Sequence, residues 1–342
     1  MVLNWKYLVL FPGIFILSAC SDNVTKSSPE IRTFTNPVVS DGADPWVIKH
    51  ENYYLYCFST GDKIWISKTN NLHEIGTADP VLIWQPEKGQ MYSENLWAPE
   101  LHYIDGKWYV YVAADNGMNT NHRMYVLENP DTNPLGNYVL KGKISDSIDR
   151  WAIDGTVLEH NEKLYFLWSG WAGTTNVQQN LYIAPMSNPW TINGDRILIS
   201  EPEYSWEIIG NPLINEGPEV LIKNGIIHII YSASGSWTGD YCLGQLTFTG
   251  TDILSRKSWS KKNQPVFAKT DSVFGPGHAS FVASPDGRED WIIYHAAKRK
   301  GSGWDRNIRM QKFEWNEDHS PDFGCPVPVN IPLSLPSGSE NH

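Results

Sequence analysis

The sequence predicts an all-β chain folded as a five-bladed β-propeller. Two observations carry that prediction. One passage recurs five times as an apolar strand, a tight polar turn and an aromatic-rich strand, the pattern of a β-hairpin. Between the copies run further strand patterns, with turn signals at Asp105-Gly106, Asn224-Gly225 and Asp286-Gly287, and no amphipathic helical pattern of useful length. A hairpin cannot bury both of its faces alone. Its repetition along one chain therefore implies stacked units around an axis.

The first copy starts at Asp44 and runs Asp-Pro-Trp-Val-Ile-Lys-His before its turn at His50. The second starts at Trp97 with Trp-Ala-Pro-Glu-Leu and turns after Ile104. The third starts at Asp154 with Asp-Gly-Thr-Val-Leu and turns after His160. The fourth starts at Glu216 with Glu-Gly-Pro-Glu-Val and turns after Lys223. The fifth starts at Gly277 with Gly-His-Ala-Ser-Phe and turns after Ser284. These turns recur every 54 to 63 residues. A four-stranded blade needs about 40–50 residues, so the surplus belongs to loops, where a propeller builds its site. No linker or charge block interrupts the run, which assigns residues 31–342 to one propeller domain.

The N-terminal stretch is a processing segment. Lys6 gives a positive start, and Tyr7 to Leu17 is an apolar run too short to span a bilayer. It ends Leu17-Ser18-Ala19-Cys20, which resembles the lipobox of bacterial lipoproteins. That resemblance implies a signal peptide over residues 1–20, a lipid on Cys20 and a bacterial cell-envelope location. Residues 21–30 are polar and read as a flexible tether. Membrane contact is expected only through that lipid. Cys57 and Cys242 lie in apolar strands, as small buried hydrophobes do, and with Cys325 they form no metal-binding spacing.

The formal charge is -11, with no Lys/Arg cluster, which argues against nucleic acid as a partner. The 16 Trp, 16 Tyr and 11 Phe exceed what turns and edges need. Most should pack between blades, and the rest can lie under sugar rings, whose C–H faces stack on indole and phenol.

Counted back from the turns, Asp44, Asp154 and His278 stand six residues upstream, Glu216 seven, and Glu100 and Glu219 four. Blade symmetry then aims Asp44, Asp154, Glu216 and His278 at one point on the axis. Glu100 and Glu219 should share a different, mutually equivalent level. Any one of these acids alone is ordinary turn chemistry. Several in register are not, because carboxyls brought together and buried cannot all ionise freely. Separated pKa values give one carboxylic acid and one carboxylate at neutral pH, the pair that glycosidic cleavage requires.

At this point the chain resembles glycoside hydrolase family 43, the five-bladed propeller arabinofuranosidases and β-xylosidases. The resemblance is carried by Gly42-Ala-Asp-Pro-Trp46, Trp97-Ala-Pro-Glu-Leu101, Ala152-Ile-Asp-Gly-Thr156, Asn215-Glu-Gly-Pro218 and Gly275-Pro-Gly-His-Ala-Ser280. Arg309-Met-Gln-Lys-Phe-Glu-Trp315 and Pro321-Asp-Phe-Gly324 extend it to the end of the repeats. It implies that Asp44 is the general base, Glu216 the general acid, and Asp154 the carboxylate that orients the acid and adjusts its pKa. Inversion then places the Asp44 and Glu216 carboxyls about 6.5–9.5 Å apart. The resemblance also gives Trp97 a place at the substrate wall and an arginine, Arg306 or Arg309, a reach to the sugar. His278 matches a residue that holds a structural calcium in the central channel, largely through water. No cofactor is required for the chemistry. Trp168, Trp171 and Trp237 are further candidates for the subsite rim.

The expected activity is exo-acting, inverting hydrolysis of terminal α-L-arabinofuranosyl linkages in plant-type polysaccharides or their oligosaccharides. The alternatives are a β-xylosidase or endo-arabinanase of the same family, or a non-catalytic surface glycan-binding lipoprotein.

Overall fold

The computed structural model describes Met1 and residues 32–340. Apart from Met1, the signal peptide, Cys20 and the tether lie outside the described residues. From Thr33 onward the chain forms a single unit.

Five antiparallel units follow one another. The first consists of Trp46–His50, Tyr53–Ser59, Ile64–Thr69 and Pro80–Trp84. The second is Glu94–Ile104, Lys107–Asp115, Arg123–Asn129 and Val139–Ile144. The third is Ala152–His160, Lys163–Trp171, Gln178–Asn188 and Ile197–Ser200. The fourth is Leu213–Lys223, Ile226–Ala233, Cys242–Phe248 and Trp259–Lys261. The fifth is Phe274–Ala283, Asp290–Ala297, Arg306–Trp315 and Pro321–Asp322. A short parallel pairing of Gln178 and Gln179 with Leu213 and Ile214 joins the third to the fourth.

The first strand of each unit contacts the first strand of the next, and that of the fifth returns to the first. The cycle closes a propeller whose inner strands surround the axis. Packing closes it as well. Among the described residues, the buried apolar side chains form clusters that each draw on two neighbouring blades. Leu55 and Cys57 of blade 1 pack with Trp108 and Val110 of blade 2. Tyr54 and Tyr56, from the same strand, pack with Trp291, Ile293 and Ile308 of blade 5. Alternate residues of one strand therefore face two different blades, since side chains alternate with a period of two. Both faces are covered, so the strands read as continuous apolar runs. Most of the aromatic content is absorbed here; Trp108, Tyr111 and Phe166 are fully buried, and truncating a side chain such as Trp108 to Ala costs about 3–5 kcal/mol.

The ring is also latched by its ends. Asn36 both donates to the Met310 carbonyl and accepts from its N–H, each at 2.9 Å. Thr33–Thr35 pairs antiparallel with Pro332–Ser334. Cys57 and Cys242 are buried, Cys325 is exposed, and none of the three is bridged.

Candidate active site

The site is built from a defect repeated in every blade. Six residues before each inner-hairpin turn the backbone is left-handed, at Asp44 (φ 48), Ala98 (φ 43), Asp154 (φ 53), Gly217 (φ 53) and His278 (φ 47). In blades 2 to 5 the pairing register of the inner strand breaks around this residue. A bulge in the left-handed conformation re-aims the side chains beside it. It costs a non-glycine residue about 1–2 kcal/mol, least for Asp.

This geometry refines the expected equivalence. Asp44, Asp154 and His278 share the bulge position. Glu216 does not, since its blade places Gly217 there. The glycine leaves room at the axis: a Cβ on it would lie 3.2 Å from His278 Nδ1. Its freed N–H donates to Asp154 Oδ2 at 3.0 Å. Glu216 reaches the same pocket from the position before the bulge, the level occupied in other blades by Ala43, Trp97 and Ile153. Glu100 and Glu219 lie one level deeper, close enough that the charge of Glu219 pushes up the Glu100 carboxyl after burial has done so.

Asp44, Asp154, Glu216, His278, Arg306 and Trp97 all line one open pocket of about 850 Å³. Asp44 Oδ1 lies 3.3 Å from His278 Nδ1, 3.2 Å from His295 Nδ1 and 3.7 Å from Arg306 Nη1. Burial alone would raise its pKa; the two imidazoles and the guanidinium outweigh that and hold the carboxyl well below the usual carboxylate range. Glu216 is treated in the opposite way. Burial and the nearby Asp44 charge raise it to about 7, against the lowering effects of the Tyr241 hydroxyl and Arg306. Tyr241 donates that hydrogen bond to Glu216 Oε1 at 2.9 Å. Asp154 is also pushed up, by burial first and then by Glu216 and Asp44. The pocket thus presents an ionised carboxylate and, at neutral pH, a carboxyl that still carries its proton part of the time. The first can accept a proton, and the second can donate one.

Tyr241 and His295 were not legible in the repeats. Their rings stack 5.5 Å apart at 8° between planes, which ties the partner of Glu216 to the partner of Asp44. A trace of Tyr241 exists in Gly277, where a Cβ would stand 2.4 Å from a Tyr241 ring carbon. Trp97 is 39 % exposed and lies on His122, ring centroids 4.0 Å apart. His122 is itself fixed by Asp115 Oδ2 at 2.9 Å.

The two candidate arginines separate. Arg306 faces the pocket and donates to the Ser236 carbonyl. Arg309 is 2 % exposed and bonds Asn307 Oδ1 and the Ala297 carbonyl, within its own blade. Three positions apart on one strand, the two side chains emerge on opposite faces. Trp168 and Trp171 are buried in the cluster between blades 2 and 3, whereas Trp237 lines the pocket. Trp171 stacks on Trp151, which does reach the pocket wall.

A closed five-bladed propeller with a buried acid and an ionised carboxylate lining one open pocket is the apparatus of acid–base glycoside hydrolases. The comparisons agree. Residues 34–321 match the model for glycosyl hydrolases family 43, and the chain belongs to that family. It is 38 % identical over 315 residues to an extracellular exo-α-(1→5)-L-arabinofuranosidase of Streptomyces avermitilis, covering 88 % of this chain and 65 % of that one. An enzyme of the same description from Streptomyces chartreusis is 35 % identical over 285 residues, covering 81 % of this chain and 86 % of the relative. Among solved structures, an α-L-arabinofuranosidase from Lactobacillus brevis superposes with a TM-score of 0.81 at 36 % identity, covering 87 % of this chain and 98 % of that one.

Proposed function

We propose that this protein is an inverting exo-α-L-arabinofuranosidase acting on terminal arabinofuranosyl groups of polysaccharides or their oligosaccharides. The observation that carries the reading is the convergence of Asp44, Asp154 and Glu216 from three blades on one pocket. The choice of arabinofuranose rests on the relatives.

Asp44 is the general base in this reading. It takes a proton from a water molecule while the water oxygen attacks the anomeric carbon from the face opposite the leaving group. The glycosidic C–O bond breaks, and Glu216 gives its proton to the departing oxygen. Asp154 acts through its neighbours: it accepts from the Gly217 N–H, which fixes the bulge beside Glu216, and it titrates together with Glu216. Arg306 keeps Asp44 ionised and, with Trp97, holds the sugar. The proton left on Asp44 returns to Glu216 through solvent, so acid and base are regenerated and water is the only co-reactant.

Proton transfer by these carboxyls needs no cofactor. For a calcium ion in the channel, the fit is partial. Asp44, Glu100, Glu219 and His278 line a narrow cleft below the pocket. No three His, Cys, Asp or Glu side chains among the described residues are grouped as a ligand set. Carboxylate oxygens suit a hard cation and imidazole does not, so an ion here is held mainly through water. A chelator that leaves the melting temperature unchanged removes the ion from the proposal. The relatives described as extracellular and the sequence around Cys20 support export with a lipid on Cys20; Cys20→Ala should move the protein from the membrane fraction to the soluble fraction.

The test is turnover and stereochemistry. Wild-type protein is incubated with an aryl α-L-arabinofuranoside and arabino-oligosaccharides, and the first-formed anomer is read by NMR. Release of β-L-arabinofuranose, lost by roughly 10²–10⁴-fold in Glu216→Gln, is expected. Retained configuration sinks the inverting mechanism. A wild type as inert as the variant on arabinosides and xylosides favours a glycan-binding protein, and turnover of xylosides alone favours a xylosidase.

A further inference from the structure

We infer that Trp304 and Trp237 form a stacking platform for the leaving-group side of the substrate, taking the sugar next to the bond that is cut. The inference rests on the hydrolase reading above for which side is which, and on the structure for the platform itself.

Trp304 is the most exposed aromatic side chain that lines the pocket, at 68 %. An indole left in water forgoes the roughly 2–3 kcal/mol that burial of a large apolar side chain brings. Folding gives no reason for it to stand there. Nor does it hang free. Its Nε1 donates to Ser236 Oγ at 3.1 Å, across from blade 5 to blade 4. Its ring meets Trp237 edge to face, centroids 6.1 Å apart and planes at 76°.

Both rings sit on prepared supports. The loop bearing Trp304 turns through Gly301 (φ 75) and Gly303 (φ 60). It is cinched by Asp305, whose carboxylate meets Lys298 at 2.8 Å and Arg299 at 3.0 Å. Trp237 packs against Gly235 and Gly210, where a Cβ would come within 2.8 Å and 3.2 Å of its ring. The supports fix the rings before a ligand arrives, which reduces the ordering cost of binding.

The platform belongs to the leaving-group side because of what shares its backbone. The segment between Ile226–Ala233 and Cys242–Phe248 carries Trp237 and, four residues on, Tyr241, the hydroxyl partner of Glu216. The acid has to touch the departing oxygen, so the wall continuous with the acid faces the departing sugar. The Ser236 carbonyl in that wall is held by Arg306, which reaches Asp44. A pocket of about 850 Å³ lies near the upper end of ligand pockets, about 300–1,000 Å³, and is larger than one pentose fills. The ligand class is a furanose or pyranose ring presenting C–H bonds to an indole face.

The experiment compares Trp304→Ala and Trp304→Phe with wild type on methyl α-L-arabinofuranoside, which has no second sugar, and on an α-1,5-linked arabinotriose. For Trp304→Ala the ratio of kcat/KM on the trisaccharide to that on the methyl glycoside should fall about tenfold, through KM, and Phe should restore most of it. Parallel loss on both substrates, or no loss on either, overturns the platform. Trisaccharide binding to Glu216→Gln, read by tryptophan fluorescence with and without Trp304→Ala, keeps the two readings apart. An inert wild type whose binding weakens about tenfold with Trp304→Ala keeps the platform and loses the hydrolase. Unchanged binding loses the platform whatever the wild type cleaves.

Discussion

Removing one oxygen atom, in Tyr241→Phe, should make this enzyme work at higher pH. The hydroxyl donates to Glu216 Oε1 at 2.9 Å in a buried setting, and it is the foremost influence opposing the upward push of burial on that carboxyl. A hydrogen bond to a charged group contributes about 1.5–3 kcal/mol, and one pKa unit corresponds to about 1.4 kcal/mol. Its loss should therefore lift Glu216 from about 7 by roughly 1–2 units. The direction for activity follows from the role proposed for Glu216. An acid must hold its proton, so kcat/KM is lost as pH rises through this pKa, and the alkaline limb moves up with it. Phe keeps the ring that stacks on His295, so the support of Asp44 and the acid limb should stay in place. The assay is kcat/KM for an aryl arabinofuranoside from pH 4 to 10, in wild type and variant at constant ionic strength. Asp154 and Glu216 are close enough to titrate as a pair, so the limb is read as a property of both. A variant whose alkaline limb is unmoved, or moves down, refutes the assignment of Tyr241 as the group that tunes the acid.

Other outcomes follow from the same geometry. Glu216→Gln should be more stable than wild type at pH 8. The folded pKa of about 7 lies above the ordinary 4.5, so the stability that goes with proton binding is full below 4.5 and is lost as pH rises through 7. A neutral isostere escapes that loss, by at most roughly 3 kcal/mol. Melting temperatures of the two proteins should differ by a few degrees at pH 8 and converge at pH 4; equal values at both pH settings contradict the raised pKa. Gly277→Ala drives a methyl against the Tyr241 ring, where a Cβ stands 2.4 Å from a ring carbon. It should lower stability by about 1–3 kcal/mol in denaturant titration and shift the alkaline limb in the same direction as Tyr241→Phe. Arg306→Met removes a fixed positive charge 3.7 Å from Asp44, so the acid limb should move to higher pH while kcat/KM falls. Arg309→Met should lower the melting temperature and leave both limbs where they are, because its bonds stay within its own blade.

The repeat itself was written in the sequence. Each inner hairpin carries its own turn residues and its own apolar run, so five copies announce five blades without reference to anything distant in the chain. Counting from those turns also found Asp44, Asp154 and His278, because one backbone geometry recurs at one offset, and side chains from equivalent positions converge on an axis. The same count puts Glu216 one residue further from its turn than the others, and only the folded bulge shows why: Gly217 holds the equivalent place, and its N–H is spent on Asp154.

What the sequence by itself determined is the architecture and the carboxylates that open its repeats, because both depend on local periodicity. What only the tertiary structure decided is the company those carboxylates keep. Tyr241 sits just before the third strand of blade 4 and His295 on the second strand of blade 5, neither with a repeat signature, and they meet because neighbouring blades press their faces together. Arg306 and Arg309 look interchangeable as text, yet strand alternation sends one to the pocket and buries the other. Proton affinity is set by such neighbours and by exclusion of water, and both arise from contacts between residues far apart in the chain.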